Sequence, residues 1–177
     1  MSMYLDIETS AKNANEGIVI AVGLMPEDGQ AEVRFASNLD EEKKALEWLK
    51  EKLRGCDEIV TWFGSGFDIP FLMTRAIYHN IDMGELAEIP MLDLCKWSQA
   101  NLSMSSHSLE AVARFFGISG GKEFHGADIL TLFRLVERGD FESRKLIVDH
   151  CREDVIVLKR IHDRLKPAVD RSRGRYR

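Results

Sequence analysis

The chain is poor in cysteine. Its three, Cys56, Cys95 and Cys151, are odd in number, and no two form a Cys-x-x-Cys pair. Neither a disulfide framework nor a thiolate zinc site is therefore expected, and a reducing cytoplasm is the expected setting. Long apolar runs are lacking as well. The longest, such as "IVIAVGLM", are strand-length, so no membrane span is expected. No basic region precedes an apolar stretch at the N-terminus, and no secretory signal is expected. Basic charge is also short: a net charge of −5 excludes a basic coat for nucleic acid, although local charge governs a small site. There is no internal repeat, no low-complexity block and no Pro/Gly-rich linker that would divide domains. With 177 residues, 45% of them hydrophobic, the chain suffices for one core and is short for two. We read residues 1–168 as one domain and 169–177 as a basic, flexible tail. Arg171, Arg173, Arg175 and Arg177 read as a solvated end, with weak attraction for phosphate as the alternative.

What is present begins with three closely spaced strands, at residues 3–8, 17–25 and 31–37, with "PEDGQ" as the turn between the last two. A helix follows, capped by Asp40 and closed by Gly55, with Ala45, Leu46, Leu49 and Leu53 as its apolar stripe. The strand "EIVTWFG" leads through "SGFDIP" into a helix ending near Tyr78, and "IPMLDLCKWS" reads as another short strand. Helices are predicted near 107–116, 126–137 and 140–165. Hairpin strands followed by strands separated by helices predict an α/β fold with a mixed sheet covered by helices.

Three acidic motifs stand out. In the first strand side chains alternate, so Leu5 and Ile7 enter one apolar layer while Asp6 and Glu8 stand side by side on the other face. Neighbouring carboxylates repel, and burial raises the cost. The second motif is "WFGSGFDIPFL". Here Asp68 precedes Ile69 and Pro70, a pattern that by itself reads as a helix cap. No Gly-Lys-Ser/Thr follows Gly64–Gly66, so this is not a nucleotide-binding P-loop. The third is "DHCREDVIVL". His150 and Asp154 share one helical face beside the stripe of Ile147, Cys151, Val155 and Leu158, while Arg152, Glu153, Lys159 and Arg160 point to solvent. Alone, that His–Asp pair reads as a surface contact contributing a few tenths of a kcal/mol. Together the motifs supply four carboxylates from three elements. If they converge, divalent cations must neutralise them. Oxygen ligands without a Cys/His cluster favour Mg²⁺ or Mn²⁺ over zinc. Two such ions about 3.5–4 Å apart form a clamp for in-line attack on phosphodiesters.

"DIET", "GFDIPFL" and "HCREDV", in this order, resemble the three motifs of the DEDD 3′–5′ exonucleases, in particular the exonuclease domain of family B DNA polymerases and its stand-alone relatives. "MLDLCKW" and "SHSLEAVARFFGI" are similar to that branch too, and the resemblance spans residues 4 to about 158. It implies a ribonuclease H-like fold and hydrolysis of single-stranded DNA or RNA ends, or 3′ overhangs, to nucleoside 5′-monophosphates. It also implies roles. Asp6, Glu8 and Asp154 would hold the metal that binds the attacking water, Asp6 would bridge to a second metal, and Asp68 would anchor that one. Beside these implied roles, Phe67, Phe63 and Thr9 are the candidate substrate contacts, Phe67 by its place next to Asp68.

Two positions depart from the pattern. The branch carries Tyr where this chain has His150. Imidazole, with an ordinary pKa of about 6.5, is a competent base near neutrality, whereas phenol at about 10 mainly orients water. Phe63 stands where relatives commonly have Asn, and reads either as a stacking contact or as core, with core preferred. Trp62 and Phe71 read as core. His107 is placed at a helix start, His79 and His162 on helix surfaces, and Lys122 and His125 in a surface loop. The competing reading is a nucleic-acid-binding module on the same fold, with catalysis impaired by the changes at His150 and Phe63. Retention of all four carboxylates argues against it.

Overall fold

The computed structural model describes residues 1–118 and 128–174. Lys122 and His125 lie outside the described residues. Five strands, β1 (Ser2–Thr9), β2 (Val19–Pro26), β3 (Glu32–Phe35), β4 (Glu58–Thr61) and β5 (Met91–Asp93), form one sheet in the order β3-β2-β1-β4-β5. β2 runs antiparallel to β1 and β3, while β4 runs parallel to β1 and β5. The mixed sheet expected from the hairpin-then-helix order is present.

Helices cover both faces. On one side, Leu5 and Ile7 pack against α1 (Leu39–Leu53) and α2 (Asp68–Tyr78) through Leu46, Leu49, Phe71 and Leu72. On the other, Tyr4 and Val60 meet α5 (Leu109–Phe115) and α7 (Phe141–Gly174). Ile20 and Ala21 pack there against α6 (Ile129–Val136) and α7. The alternation along β1 thus sends its carboxylates toward α7, on the face opposite α1 and α2. Val19–Leu24 of β2 are all buried, as a strand covered on both faces must be.

Gly23, which pairs with Asp6, lets α7 come close to the sheet. A Cβ there would meet Cys151 Sγ at 2.9 Å and the Cys151 carbonyl oxygen at 3.2 Å. The register then slips between Glu8 and Thr9, a bulge that re-aims the strand end beside the carboxylates.

Several local expectations are corrected. Asn38, not Asp40, caps α1: its backbone is extended, and its Oδ1 accepts from Glu41 N at 3.0 Å. Segment 89–98 is strand only to Asp93, which caps α4 (Leu94–Asn101) by accepting from Lys96 N. The short α3 (Gly84–Glu88) lies between α2 and β5. α7 runs on past residue 165 and through Pro167, because Leu165 and Val169 continue its buried stripe. Ser172 Oγ there accepts from Trp97 Nε1 at 3.0 Å.

Of two histidines placed on the surface, His162 is buried instead and His79 is half-buried. His162 Nδ1 meets the Tyr4 hydroxyl at 2.8 Å, and His79 Nε2 meets Glu42 Oε2 at 2.7 Å. Phe63 is also corrected. β4 ends at Thr61, and Phe63 is 45% exposed in the turn beyond it.

Candidate metal centre

β1 and α7 meet where Gly23 removes a side chain, and this contact sets the site. Glu8 projects from the end of β1, while His150 and Asp154 project from consecutive turns of α7. One ligand atom from each of these three lies within 4.8 Å of the others. His150 is nearly buried, and its Nε2 stands 3.6 Å from Glu8 Oε1. Cys151, between His150 and Asp154, feels the same group of charges. Burial raises its thiol pKa first, and Asp6, Glu8 and Asp154 raise it further, so it stays a neutral thiol beneath the carboxylates. One oxygen each of Asp6 and Asp154, Oδ2 and Oδ1 respectively, is enclosed by protein and accepts no hydrogen bond.

Asp68 arrives from the opposite layer. The cap that its motif suggests in isolation does not form, because the capping position belongs to Phe67 and carries no side-chain cap bond. Past Tyr4, β4 no longer pairs with β1, and the Ile7 N–H donates instead to Asp68 Oδ1 at 3.2 Å. The Asp68 carboxyl is therefore fixed at the peptide between Asp6 and Glu8. Burial pushes its pKa up to about 7, the N–H groups of Asp68 and Ile7 oppose that, and the charge of Asp93 adds to it.

Asp68 makes stability depend on pH with a definite sign. Its folded pKa lies above the ordinary 3.8, so its favourable contribution is complete below about pH 4 and is lost as pH rises to about 7. In chelator, Asp68→Asn should gain on the wild type by roughly 2–3 kcal/mol between pH 5 and pH 8. Urea unfolding at the two pH values measures it, and a difference that does not change with pH would refute it.

The remaining predicted contacts surround this centre. Thr9 Oγ1 donates to the Ala11 carbonyl at 2.7 Å, and Phe67 packs against Phe71 with ring centroids 5.7 Å apart. Phe67 also lines a cavity of about 290 Å³ with Lys12, Asn13, Asn15, Pro70 and Thr74. Asp6 and Asp68 are neighbours of the three-residue group but not members of it. Asp93, within "MLDLCKW", is a residue that sequence reasoning missed: its carboxylate organises the turn from Phe63 to Ser65. Its place immediately before a helix was the available signal.

The carboxylates of Glu8 and Asp154 suit a divalent cation, with Asp6 on β1 and Asp68 on α2 as carboxylate neighbours and the His150 imidazole beside them. The sheet order and the carboxylates at the end of its central strand define the class, and the comparisons agree. The RNase H superfamily model matches residues 3–166, and the chain belongs to that superfamily. Among solved structures it is similar to the family B DNA polymerase from the hyperthermophilic archaeon Pyrobaculum calidifontis, with a TM-score of 0.75 and 17% identity over 94% of this chain. It covers 24% of that polymerase chain, so the likeness is of fold and of about a quarter of the larger protein. Comparison with curated proteins finds no match. Among the described residues, no helix is long and apolar enough to cross a membrane.

Proposed function

We propose that the protein is a divalent-metal-dependent 3′–5′ exonuclease acting on single-stranded DNA or RNA ends. The observation that carries this reading is the convergence of Glu8, His150 and Asp154 from β1 and α7, beside an Asp68 carboxyl locked onto the peptide between Asp6 and Glu8. Membership of the RNase H superfamily supports it.

In this reading Asp6, Glu8, Asp154 and Asp68 would hold Mg²⁺ or Mn²⁺, two ions being expected, and the metal would supply charge neutralisation at the attacking and leaving oxygens. His150 takes the proton of the attacking water at Nε2, where Glu8 holds the ring charge. The water oxygen bonds to phosphorus, the bond to the 3′-oxygen breaks, and the shortened strand leaves with a 3′-hydroxyl protonated by solvent. The other product is a nucleoside 5′-monophosphate. Positioning and charge supply most of the acceleration.

The test uses 5′-labelled single-stranded DNA and RNA with Mn²⁺ or Mg²⁺. A ladder shortening from the 3′ end, abolished by chelator, is expected, and it also identifies the sugar. Intact label on both strands, or cuts that begin internally, would overturn the reading.

A further inference from the structure

Phe63 is held in a costly conformation with its ring open to solvent. Its φ is +62°, in the left-handed region that a bulky residue rarely adopts. A helix-forming or extended residue at this turn would need no such strain, so something must hold it. Asp93 does so: Oδ1 accepts from Phe63 N at 3.0 Å, and Oδ2 accepts from Ser65 N at 3.2 Å and from Ser65 Oγ. The Phe63 carbonyl in turn accepts from Gly66 N at 3.0 Å and Phe67 N at 3.1 Å.

Gly66 is the bed beneath the ring. A Cβ at Gly66 would meet Phe63 Cζ at 2.6 Å and Cε1 at 2.7 Å, so any side chain there would displace the phenyl. Phe63 nevertheless stays 45% exposed. This turn leaves the sheet at the C-terminal end of β4, which runs parallel to β1 and ends on the side where β1 presents Asp6 and Glu8. Phe67, bonded to the Phe63 carbonyl, immediately precedes Asp68. An aromatic side chain is thus fixed by a carboxylate clamp at the end of the sheet that carries Asp6 and Glu8.

We infer that Phe63 is a stacking platform for one unpaired base of the strand whose 3′ end is hydrolysed, and that Asp93 is the positioning residue that presents it. The inference rests on the exonuclease reading and deepens it, since a base paired and stacked within a duplex has no free face for the ring. Stacking tolerates any base, which makes the site selective for single strands rather than for sequence.

The test is a cycle that crosses the protein change with loss of the base. KM is measured in Mn²⁺ for the wild type and Phe63→Ala on a single-stranded oligonucleotide, and on the same strand with an abasic site at each of its last three nucleotides in turn. In the wild type, one abasic position is expected to raise KM about 5- to 100-fold. In Phe63→Ala the intact strand should show a similar rise, and the abasic site little more. Phe63→Trp should retain the dependence on the base. Asp93→Asn and Ser65→Ala should weaken it, and the latter leaves the cap of α4 in place. If the two losses are additive at all three positions, or if kcat falls equally on every strand, the platform is refuted while the exonuclease reading stands. If the wild type cuts neither strand, that reading fails, and the same cycle read by fluorescence anisotropy decides the platform alone.

Discussion

Asp154→Asn should lose Mn²⁺-dependent hydrolysis by roughly 10³-fold or more, and in chelator the same variant should be more stable than the wild type. Both effects follow from one geometry. Ligand atoms of Glu8, His150 and Asp154 lie within 4.8 Å of one another, and Asp6 and Asp68 add charge nearby. Groups aimed at the charge that develops in a transition state are worth about 10²–10³-fold for a single donor. A ligand serves both to bind the cation and to place it, so its loss lies at or beyond the upper end of that range. Asparagine keeps the volume and removes the charge. In metal-free protein the change relieves carboxylate repulsion, which we put at about 1 kcal/mol after solvent screening. For a chain of this size that corresponds to a melting temperature higher by roughly 2–4 °C. Saturating Mn²⁺ should reverse the order, because a ligand at a hundred times its Kd stabilises the wild type by about 2.7 kcal/mol. Thermal unfolding with chelator and with Mn²⁺, run beside the oligonucleotide assay, measures all three quantities. A variant that is less stable than the wild type in both buffers would show that Asp154 serves packing rather than a cation.

Such a site was legible because strand and helix periods need no partner to be read. The two-residue alternation of Asp6 and Glu8 against Leu5 and Ile7, and the four-residue spacing of His150 and Asp154, each fix a face before any tertiary contact is known. The errors arose where burial depends on a distant partner. Glu42 and His79 look like surface residues on their helices, and His162 does too. Their burial is set by Arg75, which lies 33 residues from Glu42, and by Tyr4, which lies 158 residues from His162. Local pattern carries no trace of such pairs. Phe63 was misplaced for another reason. The segment "EIVTWFG" reads as strand throughout, whereas the chain leaves the sheet after Thr61 and bends through a non-glycine residue whose N–H is held by the distant Asp93. Asp68 shows the same limit. Its sequence context fits a cap, and its destination on the Ile7 peptide is visible only once α2 and β1 are side by side.

The second large effect lies in that hidden network. Arg75→Met should destabilise the protein by about 3–5 kcal/mol, the usual result of leaving one charge of a buried pair behind. Glu42 is fully buried. Its Oε1 accepts from Arg75 Nε at 2.8 Å and from Val19 N at 2.8 Å, and its Oε2 accepts from Arg75 Nη2 at 2.7 Å. Arg75 also donates from Nη1 to the Ala14 carbonyl at 3.2 Å, and its guanidinium lies 4.4 Å from the centroid of the Tyr78 ring. Methionine fills much of the space but supplies no donor, so the Glu42 carboxylate and the Ala14 carbonyl each lose a partner. Glu42→Gln in the same chain removes the stranded charge and keeps an acceptor for Val19 N. The double variant should therefore recover at least 1 kcal/mol of the loss, and urea unfolding of the four proteins gives the coupling directly. Additive losses would mean that the pair contributes no more than packing. The consequence reaches the candidate site, because Ala14 belongs to the connection whose Lys12, Asn13 and Asn15 line the cavity with Phe67, the residue before Asp68. A single guanidinium therefore ties α1, α2 and the start of β2 to the wall of that cavity. Conditions in which Arg75→Met remains folded should then show a raised KM for single-stranded substrate, with the metal-bound protein still hydrolysing it.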